Sequence, residues 1–227
     1  MKNTVKNTTF VSLLDLLAPH SCRGCGRIGT ILCNRCKKYI LSQKCHICPI
    51  CKTPTINNAC KNCTDLPAAY IIGERSGLLG DLVHGYKYNS IRALAHPLAE
   101  MLASTLPVLK NAVLVPLPTA THHIRARGFD HTLLLAKSLS KITSYETRPL
   151  LVRAKNTVQV GTNLETRKLQ ATNAYTVAAT NLDSRPTYVL IDDVWTTGAS
   201  MLSAVKKLRQ AGAKSIIIAL LSISKID

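Results

Sequence analysis

Residues 189–200 read Val-Leu-Ile-Asp-Asp-Val-Trp-Thr-Thr-Gly-Ala-Ser, and no other stretch of the chain restricts its fold so tightly. The aliphatic run Val189, Leu190 and Ile191 suits a central parallel strand covered on both faces. Two adjacent carboxylates, Asp192 and Asp193, then fall at the strand's C-terminal end, where ligands bind in open α/β sheets. Beyond them Thr196, Thr197, Gly198, Ala199 and Ser200 offer hydroxyls, a glycine for tight backbone geometry and the unpaired N–H groups of a helix N-terminus. Such a loop cradles a phosphate monoester. Together the two halves fit a sugar phosphate, with the acids on the ribose hydroxyls and the loop on the 5′-phosphate. An acid pair alone is more simply a buried strand with a helix-capping turn; the whole pattern in register favours the cradle.

That pattern resembles the phosphoribosyl-pyrophosphate (PRPP) signature of type I phosphoribosyltransferases. The resemblance implies that Asp192 and Asp193 are the catalytic acids, holding the ribose hydroxyls and orienting PRPP bound with Mg²⁺. It implies that residues 196–200 bind the 5′-phosphate. Asp193, close to the sugar, would help stabilise oxocarbenium character as pyrophosphate departs.

The chain has 227 residues, enough for one sizeable domain and a small one. Eight of its nine cysteines form four C-x-x-C knuckles before residue 64: Cys22 with Cys25, Cys33 with Cys36, Cys48 with Cys51, and Cys60 with Cys63. Cys45 is the odd one out. Disulfide scaffolds seldom confine paired cysteines to one end, whereas tetrahedral zinc needs thiolates on tight turns. A redox C-x-x-C would sit on a βαβ pattern that this segment lacks. One or two structural zinc ions are therefore expected, closed by four protein ligands each. Short spacers favour sequential sites, and a cross-braced pairing of alternate knuckles stays open.

The formal net charge is +17, with 29 Lys and Arg against 12 Asp and Glu. Residues 1–66 hold 10 basic and 2 acidic groups, leaving 19 and 10 for the rest. Such a field attracts polyanions, whether nucleic acid, a pyrophosphate or an acidic partner. No apolar run approaches the roughly 20 residues of a membrane span. Residues 10–17 are too short and carry an internal acid, so they suit a short amphipathic helix rather than a signal peptide. Paired thiols without an export signal point to the cytoplasm.

Domain organisation follows from the cysteines and from Pro67. Residues 1–66 read as a helix plus a cysteine-knuckle domain with little regular structure, and 67–227 as an α/β domain. Strands are expected at 69–73, 112–115, 149–152, 187–191 and 215–221. Helices are expected at 78–88, 91–106, 132–141 (capped by Asp130) and 199–211, and a polar mobile loop or hairpin at 153–173. Alternating strands and helices argue for a mostly parallel sheet flanked by helices.

A second block, Val115-Pro116-Leu117-Pro118-Thr119 with Arg125 and Arg127 beyond, joins a Pro-bounded turn to arginines that reach pyrophosphate oxygens. Taken alone it reads equally well as a rigid loop beside a solvated patch. Trp195 is either a stacking surface or an apolar lid on the following helix.

Together these blocks resemble the ComF family of competence proteins, in which a cysteine-knuckle (double zinc-ribbon) domain precedes a type I phosphoribosyltransferase-like domain. The resemblance rests on the knuckles, Tyr86-Lys87-Tyr88, residues 115–118, Arg127-Gly128-Phe129, Gln159, Arg167, Asn173, Tyr175 and residues 189–200. Where the family usually reads Asn-Gln, this chain has Asp130-His131. The resemblance implies PRPP or a related phosphoribosyl ligand held by Pro116, Leu117, Pro118, Thr119, Arg127, Asp192, Asp193 and residues 196–200, with Lys155 and Arg167 on a closing segment. It also implies a role in natural transformation, handling incoming single-stranded DNA beside a helicase-like ATPase. Catalytic phosphoribosyl transfer and ligand binding alone both remain open, as does a salvage enzyme with no part in DNA uptake.

Overall fold

The computed structural model describes residues 20–44, 46–153, 175–178 and 181–224. The expected helix at 10–17, Cys45, Lys155, Gln159, Arg167 and Asn173 lie outside them.

A five-stranded sheet, parallel throughout, forms from β1 (Ala69–Glu74), β2 (Ala112–Pro116), β3 (Glu146–Thr147), β6 (Thr187–Trp195) and β7 (Ser215–Ile223), in the order β1-β7-β6-β2-β3. β6 is central and aliphatic, as a strand buried on both faces requires. Its alternate residues split between two cores. Val189 and Ile191 pack with Leu82, Leu98, Met101 and Leu135 from α2 (Gly77–Tyr88), α3 (Ala95–Ala103) and α5 (His131–Thr143). Tyr188 and Leu190 pack with Met201, Val205 and Leu208 from α6 (Ala199–Gln210). The fold is therefore a three-layer α/β sandwich. A short antiparallel ribbon, β4 (Leu151–Arg153) with β5 (Tyr175–Val177), lies beside α6.

The strands and helices fall largely where hydrophobic periodicity puts them. The expected helix at 91–106 splits into a 3₁₀ turn, Arg92–Leu94, and α3, where Pro97 sits in the first turn and costs no hydrogen bond. The strand expected from Pro149 begins instead at Leu151. Two helices were not expected: α1 (Asn34–Ser42) in the cysteine segment, and α4 (Thr121–Arg127) after the Pro-bounded turn. β6 also runs past the acid pair to Trp195, so Asp192 and Asp193 are strand residues and point to opposite faces.

The cysteine segment straddles the β1 edge of the sheet. Cys22, Cys33 and Cys36 belong to the core of α2 and α3, whereas Cys48 and Cys60 belong to that of α6. A Lys37–Glu100 ion pair at 2.7 Å ties α1 to α3.

Candidate functional site

Within each knuckle group, Cys22/Cys25/Cys33/Cys36 and Cys48/Cys51/Cys60/Cys63, the four sulfurs lie within 4.8 Å of one another. This is the sequential arrangement and not the cross-braced one. Cys25 and Cys33 Sγ are 3.6 Å apart, and Cys51 and Cys60 Sγ 3.4 Å apart. Zinc–sulfur bonds of about 2.3 Å in a tetrahedron separate the sulfurs by about 3.8 Å, so the donor sets fit zinc. Both first knuckles use the same turn. Cys22 N–H donates to Arg27 O and Cys48 N–H to Thr53 O, each at 2.8 Å.

At the C-terminal edge of the sheet a cleft of about 260 Å³ opens between the two halves read from sequence. Leu117, Pro118 and Thr119 form one wall, and Asp192, Asp193 and Ser200 the other, with Arg127 from the end of α4. Leu117 N–H donates to Ile191 O at 2.9 Å, which fixes the Pro-bounded turn against β6. A smaller recess of about 20 Å³ joins it through Asp192, Val194 and Ser200 and is lined by Thr196 and Gly198. Thus the cleft and recess gather most of the expected residues. Pro116 is buried at the end of β2, and Thr197 and Ala199 complete the turn without lining either space. Arg125 is exposed and lines neither.

The loop geometry follows from one contact. Gly198 has φ +76°, and a Cβ there would lie 2.1 Å from the Trp195 ring. Trp195 is 3% exposed and packs in the α6 core. Of its two readings, the apolar lid holds and the stacking surface does not. The N-cap of α6, Gly198, offers no capping side chain, and Ala199 N–H makes only a long contact of 3.5 Å to Thr197 Oγ1, so the first turn keeps N–H groups for a ligand.

The two acids differ in surroundings. Asp192 is half-buried and faces the α6 side, lining both spaces. Burial, and then the Asp193 charge, push its carboxyl well above the usual range. Asp193 points to the other face, where its side chain is 3% exposed. Its Oδ1 accepts from Lys87 Nζ at 3.0 Å and from Val194 N–H at 2.8 Å. Its Oδ2 lies 2.8 Å from Lys87 Nζ and 3.1 Å from His131 Nε2, both off the ideal hydrogen-bond direction. Burial opposes this charge, but His131 and Lys87 outweigh it and hold the carboxyl well below the usual range. His131, Asp192 and Asp193 each bring a donor atom within 4.8 Å of the others. Since Lys87 already neutralises Asp193, the group reads as a hydrogen-bonding centre rather than a metal cage.

Lys87 and His131 were not among the expected ligand contacts. The sequence signal for Lys87 was its place between two tyrosines; for His131, a titratable ring directly after a helix cap. Asp130 provides that cap, accepting from Leu133 N–H at 3.2 Å, Thr119 Oγ1 at 2.9 Å and Thr132 Oγ1 at 2.8 Å. His123, Arg153 and Tyr175 complete the rim. Tyr88 lines the cleft too and is exposed, with Arg75, Lys87 and Arg127 within 5.9 Å of its ring, and Arg92 stacks on Phe129 at 4.9 Å.

No protein-family model matches the chain. Three curated proteins are similar over most of it. They are competence protein ComFC of Bacillus subtilis (strain 168), 23% identical over 80% of this chain and 79% of that one, and competence protein ComFC of Streptococcus pneumoniae (strain ATCC BAA-255 / R6), 26% identical over 92% and 90%. The third is competence protein F of Haemophilus influenzae (strain ATCC 51907 / DSM 11121 / KW20 / Rd), 28% identical over 82% and 87%. Among solved structures, the allosteric regulatory enzyme of purine biosynthesis aligns with TM-score 0.43 and 15% identity, covering 61% of this chain and 30% of that one.

Proposed function

We propose that this chain, a relative of the ComF-family competence proteins, acts in natural transformation through a phosphoribosyltransferase-like cleft that binds PRPP. One observation carries the ligand reading: Asp192 stands where a small recess beside the α6 N-terminus meets a wider basic cleft holding Arg127. In this reading the recess takes the 5′-phosphate, Asp192 accepts from a ribose hydroxyl, and Arg127 with the Leu117–Thr119 turn takes the pyrophosphate. Mg²⁺ supplies charge neutralisation when it enters with PRPP. Asp193 acts by holding Lys87 and His131 against the cleft wall.

The cations around Tyr88, with Arg92 on Phe129, support a second part of the reading, that single-stranded DNA tracks from the cleft over this face. The remaining parts are zinc in both thiol groups, a cytoplasmic protein with a domain boundary near residue 66, and a helicase-like ATPase as neighbour. Among the described residues no helix is long and apolar enough to cross a membrane.

Calorimetric titration with PRPP and Mg²⁺ tests the cleft, comparing the parent with Asp192→Ala plus Asp193→Ala. The reading expects binding by the parent and its loss in the variant. Equal binding by both proteins would refute it. Single-strand binding should weaken steeply with salt, as phosphate contacts require.

A further inference from the structure

Residue 131 sits between a permanent cation and a buried anion. His131 Nδ1 is 2.8 Å from Arg127 Nη1, and Nε2 is 3.1 Å from Asp193 Oδ2. A guanidinium has only donors, so Nδ1 must accept, and the neutral ring carries its proton on Nε2, toward the carboxylate. The backbone enforces the meeting. Arg127 ends α4, Gly128 turns the chain at φ +76°, and Asp130 starts α5 at His131. Arg92 and Ser90 both donate to this turn, to Gly128 O and Arg127 O, while Tyr86 Oη donates to His131 O at 2.6 Å. The His131 side chain is 6% exposed, so water does not readily replace either contact.

From this geometry we infer that His131 is a positioning residue, whose ring accepts from Arg127 on one edge and turns its Nε2 proton toward the Asp193 carboxylate, in electrostatic contact at 3.1 Å, on the other. Through it the buried Asp193 fixes Arg127 over the cleft, and with it the cleft's preference for a ligand bearing pyrophosphate. The inference deepens the PRPP reading and rests on it for the identity of the ligand. It assigns Asp193 a task different from that of Asp192: the charge of Asp193 acts through the ring. A primary amide also carries an acceptor and a donor and should substitute for the ring; a phenyl ring has neither.

The test uses full-length, zinc-loaded protein titrated with PRPP and with ribose 5-phosphate, each with Mg²⁺. His131→Phe should lose on the order of tenfold in PRPP affinity, the value of about one charge-assisted hydrogen bond, while ribose 5-phosphate binding holds. His131→Gln should restore most of the PRPP affinity. Equal losses for both ligands, or no loss for PRPP, would overturn the inference. So would Gln behaving like Phe. The imidazole ¹⁵N spectrum of the ligand-free parent gives an answer that needs no ligand: Nδ1 bare and Nε2 protonated supports the assignment, and a proton on Nδ1 overturns it. If the parent binds neither ligand, the PRPP reading fails separately, and the spectrum alone decides the ring's role.

Discussion

Asp192 and Asp193 are neighbours in sequence with opposite surroundings, because each additional strand residue reverses the face. Their side chains read identically in a motif; the difference appears only once β6 is seen to continue to Trp195. Asp193 is the buried partner of Lys87 and His131. Replacing Lys87 by Met removes the main countercharge and should cost about 3 kcal/mol, read from urea unfolding. Little or no loss would mean that the carboxylate is not held this way. The same group gives a pH dependence. Its folded pKa is depressed, so its stabilisation is complete above the ordinary aspartate value of about 3.9 and drains as the pH falls below it. Asp193→Asn should therefore flatten the acid limb of the stability curve, measured by thermal unfolding across pH. An unchanged acid limb would contradict the assignment.

At the scale of elements, the turn between β6 and α6 depends on a backbone shape that only glycine adopts without strain. Gly198→Ala places a methyl group in the Trp195 ring. It should abolish ribose 5-phosphate binding and shift the fluorescence of Trp195, the single tryptophan in the chain. Retained binding with unchanged fluorescence would refute the account of the loop. Asp130→Ala should cost about 1 kcal/mol through loss of the α5 cap. Most of this architecture was legible in the sequence, since β2, β6, β7, α2, α5 and α6 carry strong apolar periodicity or caps. Helix α4 was not. Thr121-His122-His123-Ile124-Arg125-Ala126-Arg127 has no buried residue, so no hydrophobic stripe announces it. The recess, the Pro-bounded turn and Arg127 were readable as chemistry. Lys87 and His131 come from α2 and α5, distant in sequence from the signature, and only the packing of those helices on the sheet brings them to Asp193.

For the molecule as a whole, the cysteine segment is anchored on both sides of the sheet at β1, with one thiol group in each core. Metal loss should therefore loosen the whole fold rather than one appendage. Two zinc ions per chain are expected by metal analysis, and a chelator should lower the Tm of the main unfolding transition. An unchanged main transition in fully stripped protein would contradict that coupling. Anchoring β1 also fixes α2, which carries Lys87 and Tyr88 to the cleft. The central claim remains that Asp192 and the α6 N-terminus jointly hold a phosphoribosyl group. Crystallography of the complex with PRPP and Mg²⁺ tests it most directly. The account predicts the 5′-phosphate between Thr196 and Ser200, a ribose hydroxyl on Asp192 and the pyrophosphate beside Arg127. A sugar phosphate bound elsewhere, or turned so that Asp192 touches no part of it, would contradict the claim.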